Sequence, residues 1–361
     1  MRRIIYFICL VLLSQSLFSS CGKKEYKDQE LFDTCASGVV LILNQYYYET
    51  TLPEGEKVYF SEFDGENLLN MTFEEEEIMK NRTISFGTGF FISQTGEILT
   101  NRHVASPSIN QTEVKGKIKD FYSAFTDLIE YLQQELSNEF DKLEAQKSDC
   151  YYFDYFGDIC CNRAQLEEIE RKQEELRSQY QENIQTIKGL KDTDFSELST
   201  RCICELGIAY NNTFVTNSAD FKPCVFIRSS DDAQTDLALI QLKDKTTPEN
   251  SFVFILPEIS DSENEPLEIN EHLTMISYNA GIQLSNTAIG IQAQLNTGSV
   301  SQKGDGIKVM YSIPALQGSS GSPVLNKYGE LVAVNFAGLT GTQGFNYGIV
   351  TERIRKFLNN Y

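Results

Sequence analysis

The sequence predicts a mainly β protein whose first half is interrupted by a long helical hairpin. Two patterns carry this. Segments such as Gly207–Val215, Cys224–Arg228 and Leu237–Leu242 are short, rich in apolar residues and bounded by turn formers, as strands of antiparallel sheets are. Between them and the N-terminal third, apolar residues fall at Ile118, Phe121, Phe125, Leu128, Leu132, Leu136, Phe140 and Leu143. Those steps of three or four are the spacing of one helical face. A second run, Leu166, Ile169, Leu176, Tyr180, Ile184 and Ile187, repeats the spacing, with Gln173 at a polar seam position.

Taken in order, the chain opens with Met1-Arg2-Arg3, an apolar run from Ile4 to Leu13 and small residues up to Ser20. Charge, a short apolar core and small residues describe a secretory signal over residues 1–20. The run is too short to span a bilayer. Cys21 follows Ser19-Ser20 in a pattern that resembles a bacterial lipobox. This predicts cleavage before Cys21, lipidation of its sulfur and a lipid-anchored place in the cell envelope, outer membrane rather than inner because Gly22 is not aspartate. Residues 30–110 and 195–247 are expected to build the first set of strands, with 45–82 as a long loop or hairpin. The Glu74–Glu77 run reads as a solvated loop. Residues 111–191 form the helical hairpin or coiled coil, whose tip, Cys150 to Cys161, is rich in aromatics. Residues 248–361 hold a second set of strands and a C-terminal helix over Thr351–Leu358. Within them 257–270 form an acidic link.

The chemistry-bearing segment is Gly318-Ser319-Ser320-Gly321-Ser322-Pro323. A serine between glycines can project its hydroxyl from a tight turn while neighbouring backbone N–H groups remain available, which acyl transfer requires. Two further segments supply its complements. Thr100-Asn101-Arg102-His103-Val104-Ala105 follows the run Gly87 to Leu99, and Thr235-Asp236 opens the alternating strand to Leu242. The order is His, Asp, Ser, although geometry rather than order defines such a triad.

These segments resemble the trypsin-like (chymotrypsin-fold) serine proteases, in particular their HtrA/Deg-like branch. The similarity is carried by GTGFFIS…GEILTNRHVA, TDLALIQL, GSSGSPVLNKYGELVAVNFAG and Phe345–Val350, and spans about residues 32–110 and 200–361. It implies two six-stranded antiparallel β-barrels. It also implies serine endopeptidase activity through an acyl-enzyme, with Ser320 as nucleophile, His103 as general base and Asp236 orienting the imidazole. The Gly318 and Ser320 N–H groups would form the oxyanion hole. Pro314, Ala315, Leu316, Phe336, Ala337 and Asn346 would line the specificity pocket, and since none is acidic, cleavage after Lys or Arg is not expected. Ser319 stands where zymogen-type relatives carry the aspartate that captures a new N-terminus, so no activation by N-terminal processing is expected. No PDZ domain is expected either. Ser319 and Ser322 read as turn formers, and His272 as structural.

The formal net charge is −20, or −22 once Arg2 and Arg3 leave with the signal, which argues against nucleic acid and anionic membrane surfaces as partners. Protein or peptide substrates are the expected partners, with no cofactor and no metal. Of nine cysteines, Cys9 lies in the signal and Cys21 is the lipidation candidate. An exported location favours disulfides among the other seven, and Cys150 with Cys160 or Cys161 would staple the hairpin tip. The hairpin itself could be a spacer, a lid, or an arm whose aromatic tip binds a protein partner. The last option leaves open a second function class: a latent protease-fold lipoprotein acting as adaptor or adhesin.

Overall fold

The computed structural model describes residues 23–53, 55–232, 234–256, 267–338 and 345–359. The expected signal, Cys21 and residues 257–266 of the acidic link lie outside them. Strands are β1 (Val39–Thr51), β2 (Lys57–Phe60), β3 (Glu62–Phe63), β4 (Leu68–Leu69), β5 (Thr83–Phe91), β6 (Glu97–Thr100), β7 (Tyr151–Phe153), β8 (Ile159–Cys161), β9 (Ser199–Tyr210), β10 (Lys222–Ser229) and β11 (Ala238–Leu242). They continue with β12 (His272–Ser277), β13 (Asn286–Thr287), β14 (Gly290–Ile291), β15 (Gln294–Gln302), β16 (Lys308–Tyr311), β17 (Pro323–Asn326), β18 (Leu331–Gly338) and β19 (Asn346–Val350). Helices are α1 (Asp28–Cys35), α2 (Glu75–Lys80), α3 (Arg102–Ala105), α4 (Gln111–Lys147), α5 (Arg163–Asp192), α6 (Ile282–Ser285) and α7 (Thr351–Asn359).

Two closed antiparallel barrels of six strands result. In the first, the order β1-β5-β6-β11-β10-β9 is closed by pairing of β1 with β9, and β2 extends the sheet beyond β1. The second closes as β12-β15-β16-β19-β18-β17. The fold is chymotrypsin-like. Its strands are apolar on successive residues, which half-buried strands would not be, because both faces are covered. Val40, Ile42, Phe91, Ile98 and Ile240 fill the first barrel. Their neighbours Leu41, Phe90, Leu99 and Leu239 point the other way, into a core shared with Ile276, Tyr278, Val334 and Ile349 of the second barrel. Leu273, Met275, Val309 and Tyr311 fill the second barrel itself.

The chain divides into two compact units. Of the described residues, those within 23–45, 84–107 and 204–359 form the first, which holds most of both barrels, and those within 46–83 and 108–203 form the second. Of the two forms expected for residues 45–82, loop or hairpin, the hairpin is the one present. These residues continue β1, add β2 and the β3–β4 hairpin, and turn the acidic run into α2, whose Ile78 is fully buried and whose Glu75 accepts a 2.7 Å hydrogen bond from the Tyr47 hydroxyl.

The helical hairpin forms as expected, with caps that explain its ends. Asn110 accepts from the Thr112 and Glu113 N–H groups, and Asn162 from that of Gln165. Its seam on α4, however, is turned by about one residue. Ile118 and Leu143 are buried, but Thr126 and Ile129 take the intervening places, and Phe121, Phe125, Leu128 and Leu132 are exposed. Gln173 does fill the polar seam position, donating at 2.9 Å to Glu144. The expected staple at the tip is a second correction. Cys150, Cys160 and Cys161 are free thiols, and Cys150 and Cys161 pack in one apolar cluster with Leu143 and Ile169.

Within the second unit, Glu49 is 3% exposed. It accepts from Arg201 Nε at 2.8 Å and Lys57 Nζ at 3.0 Å. Burial works to raise its pKa, but these two cations outweigh it and hold the carboxyl below its ordinary value. Its stabilisation is therefore complete above the ordinary carboxylate range and is lost as pH falls through the lowered value. In urea unfolding at neutral pH, Glu49→Gln should cost about 1–3 kcal/mol. The gap to the parent chain should close when both are unfolded in acid.

Candidate active site

β6 ends at Thr100, and α3 begins two residues later. This short helix presents His103 to β11, and the chain holds it there by four bonds. The Asn101 side chain donates to the Asp236 carbonyl at 2.7 Å and the Arg102 N–H donates to the same oxygen at 3.4 Å. The His103 N–H reaches Asp236 Oδ1 at 3.0 Å, and His103 Nδ1 meets Oδ2 at 2.5 Å. The imidazole is thus anchored through Nδ1, with its side chain 46% exposed and that of Asp236 17% exposed. Burial pushes the Asp236 carboxyl up, but the hydrogen bonds and charge of His103, helped by Arg102, more than reverse this and hold it below the ordinary range.

The turn carrying Ser320 is shaped by two glycines. Gly318 and Gly321 have φ of 99° and 88°, in the left-handed region that glycine tolerates. Neither position has room for a side chain. A Cβ on Gly321 would lie 2.0 Å from the Thr88 carbonyl oxygen, and one on Gly318 would lie 2.5 Å from that of Tyr278. The close approach brings Ser320 beside β5 and β6. The Thr88 N–H donates to the Ser320 carbonyl at 2.8 Å, and the Thr88 hydroxyl donates to the Gly318 carbonyl at 2.7 Å. Thr100 Oγ1 in turn donates to the Thr88 carbonyl at 2.7 Å.

The same bonds set the peptide planes of the turn. The Gln317 carbonyl accepts from the Ala280 N–H at 2.6 Å. The Ser319 carbonyl accepts from Ser322 N and Oγ at 3.1 and 2.6 Å and from Asn335 Nδ2 at 3.0 Å. In a trans peptide the following N–H points the opposite way, so Gly318 N–H and Ser320 N–H are turned away from these anchors. Among the described residues neither donates a hydrogen bond, so both remain available to a developing oxyanion.

His103 and Asp236 are in contact. Ser320 lies next to Thr88 and Thr100 and is half-buried, but its hydroxyl makes no hydrogen bond to His103 at rest. Ser319 and Ser322 are internal turn formers, donating to the carbonyls of Leu316 and Ser319. His272 pairs with Asp28 of α1 at 2.8 Å, away from the triad candidates in role. Of the expected pocket residues, buried Asn346 donates to the Ile313 carbonyl at 2.6 Å, next to Pro314. Leu316 is 54% exposed, its N–H held by Asn279 Oδ1 at 2.9 Å. Ala315 is half-buried, Phe336 packs near Tyr347, and Ala337 pairs with Tyr347 between β18 and β19. Sequence reasoning missed Thr88, Asn279, Tyr311 and Asn335. Asn335 is held by the buried Tyr311 hydroxyl at 2.9 Å and is 3% exposed. The one signal, for Thr88 and Asn335 alone, was a polar residue inside a largely apolar strand. Among the described residues no three His, Cys, Asp or Glu gather as a metal site.

Residues 204–334 match the family model described as the trypsin-like peptidase domain. The matched segment is similar to that domain. It includes Asp236 and Ser320 and begins after the helical insertion, so His103 precedes it. No curated protein matches the chain. Among solved structures, the chain is similar to the serine endoprotease from Yersinia pestis, with 13% identity, a TM-score of 0.42, and coverage of 93% of this chain and 67% of that one.

Thr88 joins the turn that carries Ser320 to the first barrel through both its backbone and its hydroxyl. Thr88→Val keeps the shape but removes the bond to Gly318 and the acceptor for Tyr278 N–H. The expected result is a loss of about 1–3 kcal/mol in thermal or urea unfolding. The rate of Ser320 labelling by a fluorophosphonate should fall with it, because the Gly318 peptide is no longer pinned.

Proposed function

We propose that this chain is a serine endopeptidase that hydrolyses peptide bonds of proteins through His103, Asp236 and Ser320. The observation that carries the reading is the 2.5 Å contact of His103 Nδ1 with Asp236, formed beside a turn whose Gly318 and Ser320 N–H groups are unengaged. Ser320 Oγ attacks the substrate carbonyl. His103 Nε2 takes its proton and later delivers it to the leaving amine. Asp236, ionised because its pKa is held low, keeps the proton on Nδ1 and stabilises the imidazolium. The negative oxygen of the tetrahedral intermediate is received by Gly318 and Ser320 N–H. Substrate entry supplies the one contact that is absent at rest, that of Ser320 with His103, as catalytic hydrogen bonds often tighten only in the complex.

The pocket reading follows from its composition. Pro314, Ala315, Leu316, Phe336, Ala337 and Asn346 carry no formal charge, which suits an apolar side chain of small or medium size at the cleaved bond. The reading extends to an exported protein anchored in a bacterial envelope through a lipid on Cys21, on the motif at its N-terminus. A second reading, an adaptor or adhesin working through its arm, is favoured by one feature. At the hairpin tip Phe153, Tyr155, Phe156 and Ile159 are 74%, 96%, 85% and 72% exposed, which is unusual for apolar side chains with no binding role.

Treatment of the full chain with a fluorophosphonate tests the first reading. Labelling is expected for the parent and lost in Ser320→Ala. His103→Ala should reduce peptide hydrolysis by about 10⁴-fold or more while the protein stays folded. Hydrolysis that survives Ser320→Ala unchanged would end the serine-nucleophile reading. A folded parent that neither labels nor cleaves would shift the case to the adaptor.

A further inference from the structure

The turned seam of α4 leaves an apolar stripe about half exposed outside that seam. Phe121, Phe125, Leu128 and Leu132 are 38%, 42%, 51% and 48% exposed. Their steps of four, three and four put them on one line of the helix, about 16 Å long. Phe121 and Phe125 stack on each other with rings 6.3 Å apart and nearly parallel. The hairpin is already closed on its other side, where Ile118, Ile129 and Leu143 are buried. A surface helix ordinarily keeps its apolar stripe towards a core, and α4 carries two neighbouring stripes of which only one is used.

We propose that this stripe is the self-association face of the protein, and that its occupant is α4 of a second copy lying antiparallel across a two-fold axis. The stripe is its own complement. With the axis between Thr126 and Asp127, Phe121 faces Leu132 of the second copy and Phe125 faces Leu128, and each contact occurs twice, as an isologous interface requires. Exposed Ala124 beside the axis lets the backbones approach.

The charges follow the same symmetry. Lys117 and Glu135 lie 18 residues apart, about five whole turns, so both sit on the same edge of the stripe, one at each end. Antiparallel pairing sets Lys117 of each copy against Glu135 of the other, whereas parallel pairing would set like charges together. Within its own chain Lys117 has only a 3.9 Å contact with exposed Asp120, and Glu135 only a 3.5 Å hydrogen bond from Asn138, so neither is committed elsewhere. The occupant is therefore a second copy and not a membrane, for which a stripe edged by a lysine and a glutamate and backed by a strongly acidic chain is a poor match. The inference stands apart from the chemistry at Ser320.

Sedimentation velocity of the full chain over a nanomolar to micromolar series tests it. The expected result is a reversible dimer. Phe125→Ser with Leu128→Ser should weaken it about 100-fold or more, since four apolar side chains leave the interface, with helix content by circular dichroism unchanged because these residues are exposed. Lys117→Glu alone should also weaken the dimer, and Lys117→Glu with Glu135→Lys should restore it. A chain that is monomeric throughout overturns the proposal. So does a dimer indifferent to the serine pair, a charge swap that fails to restore pairing, or a stripe whose substitution abolishes binding to phosphatidylcholine vesicles instead.

Discussion

Thr88 is the residue through which the two barrels agree on one geometry. Its N–H, carbonyl and hydroxyl reach Ser320, Thr100 and Gly318, and the hydroxyl also accepts from the Tyr278 N–H at 3.0 Å. It is completely buried, so each bond forms where water cannot compete and an unmade one would be costly. The glycines at 318 and 321 exist for this contact, because their missing side chains let the turn close onto β5. Remove the contact and the turn loses its reference to β6, and through β6 to His103.

A second constraint fixes the turn from behind. Asn335 donates to both the Ser319 carbonyl and hydroxyl and is itself held by Tyr311. This neutral network joins the turn to β16 and β18, two strands of the same barrel. That arrangement is consistent with two unengaged N–H groups in the turn at rest.

Much of this was legible before any coordinates. The strand–turn patterns, the helical spacing of 118–143 and 166–187, and the glycine-flanked serine each reflect a strong local rule, so the barrels, the hairpin and the candidate residues could be read directly. The misreadings share a cause. A 3.6-residue period places α4's apolar residues on adjoining lines but does not say which line meets α5. Ile129 and Thr126 won the seam over Leu128 and Phe125. Continuous apolar runs hid the fact that Leu41 and Ile42 serve different cores. Thr88 and Asn335 were invisible because their value comes from partners more than 10 residues away, and no local pattern marks such partners. The polar, aromatic composition of residues 45–82 left loop and hairpin both open, because their order depends on Glu49 and Tyr47 contacts that no spacing encodes.

His103 and Asp236 touch although 133 residues separate them, and most of that distance is the hairpin. Its two ends are tied together. Gln111 Nε2 donates to the Thr200 carbonyl at 2.7 Å, and the Thr200 N–H returns a bond to Gln111 Oε1 at 2.9 Å. The helices between them are held by their own caps and by each other, while their base packs on Tyr48, Val58 and Phe60. For the rest of the chain a connection of 89 residues then behaves as a link of a few. The entropy of closing a loop depends on its effective length rather than its count of residues, and contacts that bridge a pre-closed loop form faster than their sequence separation suggests. The insertion thus adds mass to the protein without lengthening the search by which its imidazole finds its carboxylate.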